Sequence, residues 1–156
     1  MFESGGLIRP TAGSGPSRGR GGGARFRPRQ FTIRDGWIVV VGRSNEENDY
    51  VTHSVAKQED YWFHASGVPG SHVVLKKAGR KDNPSTKALE EAAAIAAFYS
   101  KARNSRKAPV IYTLKKYVRK PRKAKAGLAV CTNEKTIMVA PSDPEAGAAP
   151  EWAEDE

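Results

Sequence analysis

The sequence predicts an α+β domain: a mixed, mostly antiparallel sheet of about seven short strands, with two helices, one long and Ala-rich, laid on one face. Three observations lead there. The apolar runs are short and rich in Val, Ile, Tyr, Phe and Trp, as strands that pack on a pleated surface require. They follow one another in pairs joined by tight-turn residues, rather than alternating with helices. Only two segments combine a helix-capping residue with apolar positions at helical spacing.

The first pair is Phe31–Arg34 and Trp37–Val41, joined by Asp35-Gly36, a dipeptide suited to the positive φ angles of a two-residue hairpin turn. Gly42-Arg43 ends the second strand. Ser44-Asn45-Glu46-Glu47 has capping-box spacing, so a helix starts at Asn45 with Val51 and Val55 on its inner face. Lys57 to Asp60 closes that helix. Tyr61–Ala65 and Ser71–Leu75 form the second pair, and Gly67-Val68-Pro69-Gly70 reverses the chain between them.

A basic loop, Lys76 to Lys81, leads to Asn83-Pro84, read as a cap followed by proline at the first helical position. The long helix then runs from Pro84 to Arg103. Ala88, Ala92, Ile95, Tyr99 and Ala102 make one stripe, with Leu89, Ala93 and Ala96 beside it. Pro109–Leu114 reads as a buried strand. Gly127–Thr132 and Lys135–Ala140, joined by Asn133-Glu134, read as a closing hairpin.

Order is expected over residues 31–141. Residues 1–30, Gly/Arg-rich, and 142–156, acidic, hold too few apolar anchors to offset ordering entropy and are expected to be a disordered arm and tail. No apolar run approaches a membrane span or a signal peptide, which points to a cytoplasmic protein without a membrane partner. Cys131 stands alone, so there is no disulfide framework or cysteine knuckle for a metal.

The chain has 26 Lys and Arg against 17 Asp and Glu. The ends nearly cancel, leaving 20 bases and 10 acids between residues 31 and 140, so the basic character belongs to the folded part. Eleven bases and no acid lie between Lys101 and Lys125. Such a run repels itself unless a polyanion neutralises it, and releasing the polyanion's counterions drives that association. Lys115, Lys116, Arg119, Lys120, Arg122 and Lys123 are the candidate phosphate contacts. Tyr117, interleaved with them, offers a ring for base stacking.

Arg43, with Asn48 and Asp49 near a helix start, is a second candidate anion site beside the ordinary reading of capping polar residues. His64 and His72 lie on paired strands and can face one side, with Asp60 able to orient one of them; with Arg43 and Asn48 they are candidate nucleic-acid contacts at the hairpin tip, beside the reading of His64 as a core residue. A zinc or hydrolytic centre needs more: no HxH or HxxxH spacing is present, and neither Ser66 nor Ser71 sits in a nucleophile turn. No catalytic residue, cofactor or small-molecule substrate is expected.

Five stretches in order, Gly36–Thr52, Asp60–Ala65, Pro69–Leu75, Glu91–Ser100 and Val118–Pro121, resemble the NFACT-R domain, the RNA-binding module of NFACT ribosome-associated quality-control proteins. The resemblance covers about Phe31 to Pro141. Gly42, Arg43, Asn48, Asp49, His64, Gly70, His72, Arg119, Lys120 and Pro121 match its motifs, while Ser44 stands where an Asn is common.

The resemblance implies a module that helps hold tRNA on a large ribosomal subunit carrying a stalled nascent chain. The sequence is expected to be a stand-alone form, so the untemplated tailing promoted by full-length NFACT proteins does not carry over. The expected partner is RNA, either tRNA or rRNA, with the large subunit behind it. The alternatives are a DNA-binding or DNA-sensing module on the same basic face and, further off, a His-dependent metalloenzyme.

Overall fold

The computed structural model describes residues 26–145; the bulk of the Gly/Arg-rich arm and the end of the acidic tail, with the disorder expected of them, lie outside the described residues. Eight strands and two helices follow in the order β1 (Arg29–Thr32), β2 (Ile38–Val41), α1 (Asn45–Tyr50), β3 (Tyr61–Ala65), β4 (Val73–Lys76), α2 (Thr86–Phe98), β5 (Ala108–Leu114), β6 (Val118–Arg119), β7 (Val130–Cys131) and β8 (Lys135–Val139). Six strands form one sheet in the order β1-β2-β4-β3-β5-β8, and β6 pairs with β7 in a separate two-stranded ribbon. Every pairing is antiparallel. The α+β class is therefore as the sequence predicts.

The first hairpin turns where expected, with Asp35 at φ 63° and Gly36 at φ 80°, and Ile33 and Trp37 close it through a 2.8 Å backbone bond. Its strand begins at Arg29, and Phe26 packs its ring 5.3 Å from that of Tyr50. Ser44 caps α1 by accepting from the Glu47 amide at 3.0 Å. The Glu47 carboxylate returns not to Ser44 but to the Arg43 amide, at 2.7 Å. Helical backbone continues beyond α1 as a π-turn, Val51–Val55.

Side-chain alternation along the strands splits the sheet into two faces. Val39, Val41, Phe63, Val73, Leu75 and Val110 lie under α2, whose Ala88, Ala92, Ala93, Ile95, Ala96 and Ala97 are buried against them. Val40, Trp62 and Val74 point the other way, to Val51, Ala56 and Val118. The two helices thus sit on opposite faces, not on one. A strand buried on both faces is apolar at every position, which is why Trp37 to Val41 reads as a continuous run.

Two further expectations are corrected. The long helix starts at Thr86, capped by Ser85 rather than Asn83, and stops at Phe98 instead of Arg103. It stops because the chain there pairs with the turn between β3 and β4: the Ser71 amide bonds Tyr99 O at 2.9 Å, and the Lys101 amide bonds Pro69 O at 3.0 Å. A Cβ on Gly70 would lie 2.7 Å from that of Ser100, so this suture needs the glycine. The closing hairpin does not form either. Asn133, at φ 57°, turns the chain from the ribbon to the sheet edge, where β8 pairs with β5, while the preceding strand shrinks to β7 and pairs with β6.

Asp60, 1 % exposed, locks the start of β3: its carboxylate accepts from the Lys57 amide at 2.8 Å and the Lys77 amide at 2.7 Å, and pairs with Lys76 at 2.8 Å. It does not orient a histidine. Replacing it strands two amides and a partly buried ammonium, so Asp60→Ala should cost on the order of 3 kcal/mol, measured by urea unfolding. A change under about 1 kcal/mol would show that this knot does not hold the strand.

Candidate nucleic-acid interface

The site is built around His72, immediately before β4 and 2 % exposed. Its amide donates to Asn48 Oδ1 at 3.0 Å, and its carbonyl accepts from the Gly42 amide at 3.0 Å. Asn48 reaches it only because residue 42 lacks a side chain: a Cβ there would lie 2.1 Å from Asn48 Oδ1. On the ring, Nε2 faces Gly127 O at 3.0 Å and Nδ1 faces Thr52 Oγ1 at 2.7 Å. A carbonyl can only accept, so Nε2 carries the proton and Nδ1 accepts from the threonine hydroxyl. Thr52 in turn accepts from Trp62 Nε1 at 2.9 Å.

Burial keeps His72 neutral, against the pull of the Gly127 carbonyl. Burial, followed by the nearby His64, pushes its pKa down to about 4. His64 stacks on Trp62, centroids 5.8 Å apart, and meets His72 edge-on at 5.5 Å; its Nδ1 donates to Ala65 O at 2.6 Å, and burial lowers its pKa as well. The two histidines therefore share one side, as the strand pairing implies. Both nitrogens of His72 are engaged within the protein. Among the described residues no three His, Cys, Asp or Glu side chains are grouped to hold a metal ion.

The bond to Gly127 brings the basic segment in. Asp49 fastens the same loop: Oδ1 accepts from the Gly127 amide at 2.9 Å, and Oδ2 pairs with Lys120 Nζ at 2.5 Å. Burial works against the Asp49 charge, but the Lys120 ammonium and the Gly127 amide outweigh it and hold the carboxyl below its usual range. Asp49 is therefore a rivet rather than part of an anion site. Lys116 pairs with Glu59 at 3.1 Å. Among the described residues, Lys115, Arg119, Arg122, Lys123 and Lys125 carry no anionic partner, and all but the half-buried Lys115 are exposed.

Arg43, on the other side of α1, is held by Glu47 at 3.1 Å but keeps 46 % of its side chain exposed. With Asn45, Asn48, Gly70, Lys101 and Arg103 it lines an open groove of about 580 Å³ between α1, the β3–β4 turn and the end of α2. Asn45 joins groove and loop, since its side chain lies about 3 Å from where a Gly127 Cβ would be. The structure thus joins the groove that holds Arg43 to the loop that carries Lys120, Arg122 and Lys123 through the contact of Asn45 with Gly127. Asn48, His64 and His72 stand behind that surface, Asn48 also touching the groove. Lys116 and Tyr117 lie in the short helical turn that follows β5.

Lys101 and Arg103 belong to the eleven-base run, but nothing in the sequence places them beside Arg43; a helix drawn through to Arg103 hides the bend that does so. Thr52 and Gly127 had no signal beyond being polar or small.

A cationic groove and loop backed by a fixed framework have the chemistry that suits a polyanion. The family signature described as NFACT protein RNA binding domain matches residues 27–130, and the chain belongs to this family. It is 39 % identical over 111 residues to the Rqc2 homolog RqcH of Bacillus subtilis (strain 168), covering 71 % of this chain and 19 % of the relative. It is 38 % identical over 122 residues to the Rqc2 homolog RqcH of Streptococcus suis (strain 05ZYH33), covering 76 % and 21 %. The chain thus spans about a fifth of the length of these curated relatives. The solved structure of the C-terminal of the fibronectin/fibrinogen-binding protein from Streptococcus suis superposes with a TM-score of 0.70 at 37 % identity, covering 76 % of this chain and 48 % of that one.

Two outcomes test the framework. Because His72 titrates at about 4 when folded and near 6.5 when unfolded, the unfolded chain takes up the proton first as pH falls. Its stabilisation is intact above about pH 6.5 and lost as pH falls towards 4, so urea unfolding at pH 7.5 and 4.5 should differ by about 2–3 kcal/mol from this group, a difference absent from His72→Gln. A wild-type profile no steeper than the variant's would contradict it. Asn48→Ala leaves the His72 amide buried without an acceptor and should cost about 1–3 kcal/mol in the same assay; no loss would mean that Asn48 is not a strut.

Proposed function

We propose that the chain is a non-catalytic RNA-binding module of the cytoplasm that grips structured RNA, tRNA or rRNA, on a large ribosomal subunit during quality control of stalled nascent chains. The observation that carries this reading is the continuity of the Arg43 groove with the Arg119–Lys125 loop through Asn45 and Gly127. Free cations spread over such a surface suit a backbone of regularly spaced phosphates better than one small anion. Membership of a family named for RNA binding, and kinship with Rqc2 homologs, support the choice of RNA and of the ribosomal setting. No described helix is long and apolar enough to cross a membrane.

The paired cations contribute differently. Lys116 and Glu59 are both well exposed, and water and salt screen such a pair, so phosphate can displace Glu59 at little cost. Lys120 is tied to Asp49 and serves mainly to shape the loop. Arg119, Arg122 and Lys123 are therefore the principal clamp.

Reversing those three charges to Glu should weaken tRNA binding by at least tenfold in a filter-binding titration. The slope of log affinity against log salt should fall by about 2–3, at roughly 0.7–0.9 per lost phosphate contact. Lys81→Glu with Lys87→Glu should leave both unchanged. Equal loss in the two variants, or no binding by the wild type at low salt, would reject the clamp, and preference for matched DNA over RNA in competition would move the reading to DNA.

A further inference from the structure

A pocket of about 240 Å³ opens at the β3–β5–β8 end of the sheet, on the face that carries α2, lined by Tyr61, Tyr112, Leu114, Tyr117, Asn133 and Lys135. Strand pairing assembles it. Tyr61 faces Leu114 across β3 and β5, and Tyr112 faces Lys135 across β5 and β8. Tyr61 and Tyr112 are thus diagonal neighbours on one face, within mutual reach of aromatic side chains. Phe63 backs Tyr112 in a stack of 5.6 Å and 20°, which makes that wall rigid. Tyr117, 37 % exposed, forms the opposite lip, in the short helical turn where the chain leaves β5.

The chemistry of the pocket is that of a planar ring carrying an anion. Its volume is below the about 300–1,000 Å³ of pockets that enclose a drug-sized ligand. Three phenol rings around so small a space suit one flat group, and their hydroxyls with Asn133 can hydrogen-bond its edge. The rim is cationic, with Lys135 exposed beside Tyr112 and the Lys116 ammonium 5.7 Å from the Tyr117 ring. Of the acids near that rim, Glu59 is matched by Lys116, and Glu134, between Asn133 and Lys135 in the chain, acts on Cys131, which packs on the opposite sheet face. An aliphatic peptide has no use for three stacking faces, and an anionic protein segment none for a flat slot. A nucleotide uses both.

We infer that the Tyr61–Tyr112–Tyr117 pocket takes a single unpaired nucleobase, splayed from the RNA bound on the basic loop, with the adjoining phosphate on Lys116 and Lys135. The inference rests on the RNA-binding reading and adds to it a single-strand element, placed where Tyr117 connects the pocket to the start of the basic segment. Stacking is indifferent to which base enters, so the pocket selects for an unstacked nucleotide rather than for a sequence.

The test uses the full chain and two probes: a single-stranded heptaribonucleotide with 2-aminopurine at its centre, and an RNA duplex of similar charge. The heptamer's fluorescence should be quenched on binding. Tyr117→Ala and Tyr61→Leu should weaken it by about fivefold to a hundredfold, the range of one lost base stack, and reduce the quenching, while Tyr117→Phe retains both and Tyr61→Leu leaves duplex binding and its salt slope unchanged. An abasic site at the centre of the heptamer should reproduce the loss in the wild type. Heptamer affinity indifferent to the substitutions and to the abasic site, or duplex binding without heptamer binding, overturns the pocket but leaves the RNA reading standing. Failure to bind either probe overturns both.

Discussion

The constraint on which the rest depends is the burial of a neutral imidazole. His72 is held at four points, by Asn48 and Gly42 on its backbone and by Thr52 and Gly127 on its ring, and each contact belongs to a different part of the chain. Through it the central hairpin, α1, the π-turn after it and the loop that carries the cations become one body. A charged imidazole would be cut off from water and would sit beside His64, both of which disfavour it. The same residue that fixes the geometry therefore also requires it to stay uncharged.

Shape and charge are supplied by different residues. The acids near the loop, Asp49 and Glu47, are spent on amides and on single cations, and they set the shape of the surface without cancelling its charge. The cations left over lie where solvent reaches them, so desolvation costs little when a phosphate arrives. Holding them on a preformed loop removes much of the ordering entropy that binding would otherwise cost. The sheet face under α2 contributes in another way. Packed against Ala side chains over most of its area, it leaves its aromatic end uncovered beyond the helix.

How legible this was in the sequence depended on range. Local rules found the first hairpin through Asp35-Gly36, the cap at Ser44 and the alanine stripe of α2, because each rests on contacts within a few residues. They failed where distant pairing decided the outcome. Pairing of Ser71 and Lys101 with the chain around Tyr99 and Pro69 cut the long helix short, and competition between β5 and β6 for partners split the expected last hairpin. Asp60 read as a histidine partner from its proximity in sequence, but it serves Lys76 and two amides. Of the candidate site, the basic run and the shared side of the two histidines were visible; the Asn45–Gly127 junction that makes one surface of two patches was not, because nothing local pairs residues so far apart in the chain.

That junction is open to direct measurement. Ultraviolet or chemical crosslinking of the full chain to tRNA, followed by mass spectrometry, identifies which peptides touch RNA in a single complex. If groove and loop form one surface, crosslinks appear in the peptide carrying Arg43 or in that carrying Lys101 and Arg103, together with crosslinks across Arg119 to Lys125. Crosslinks confined to Lys77, Lys81 and Lys87, with both of those regions silent, would contradict it.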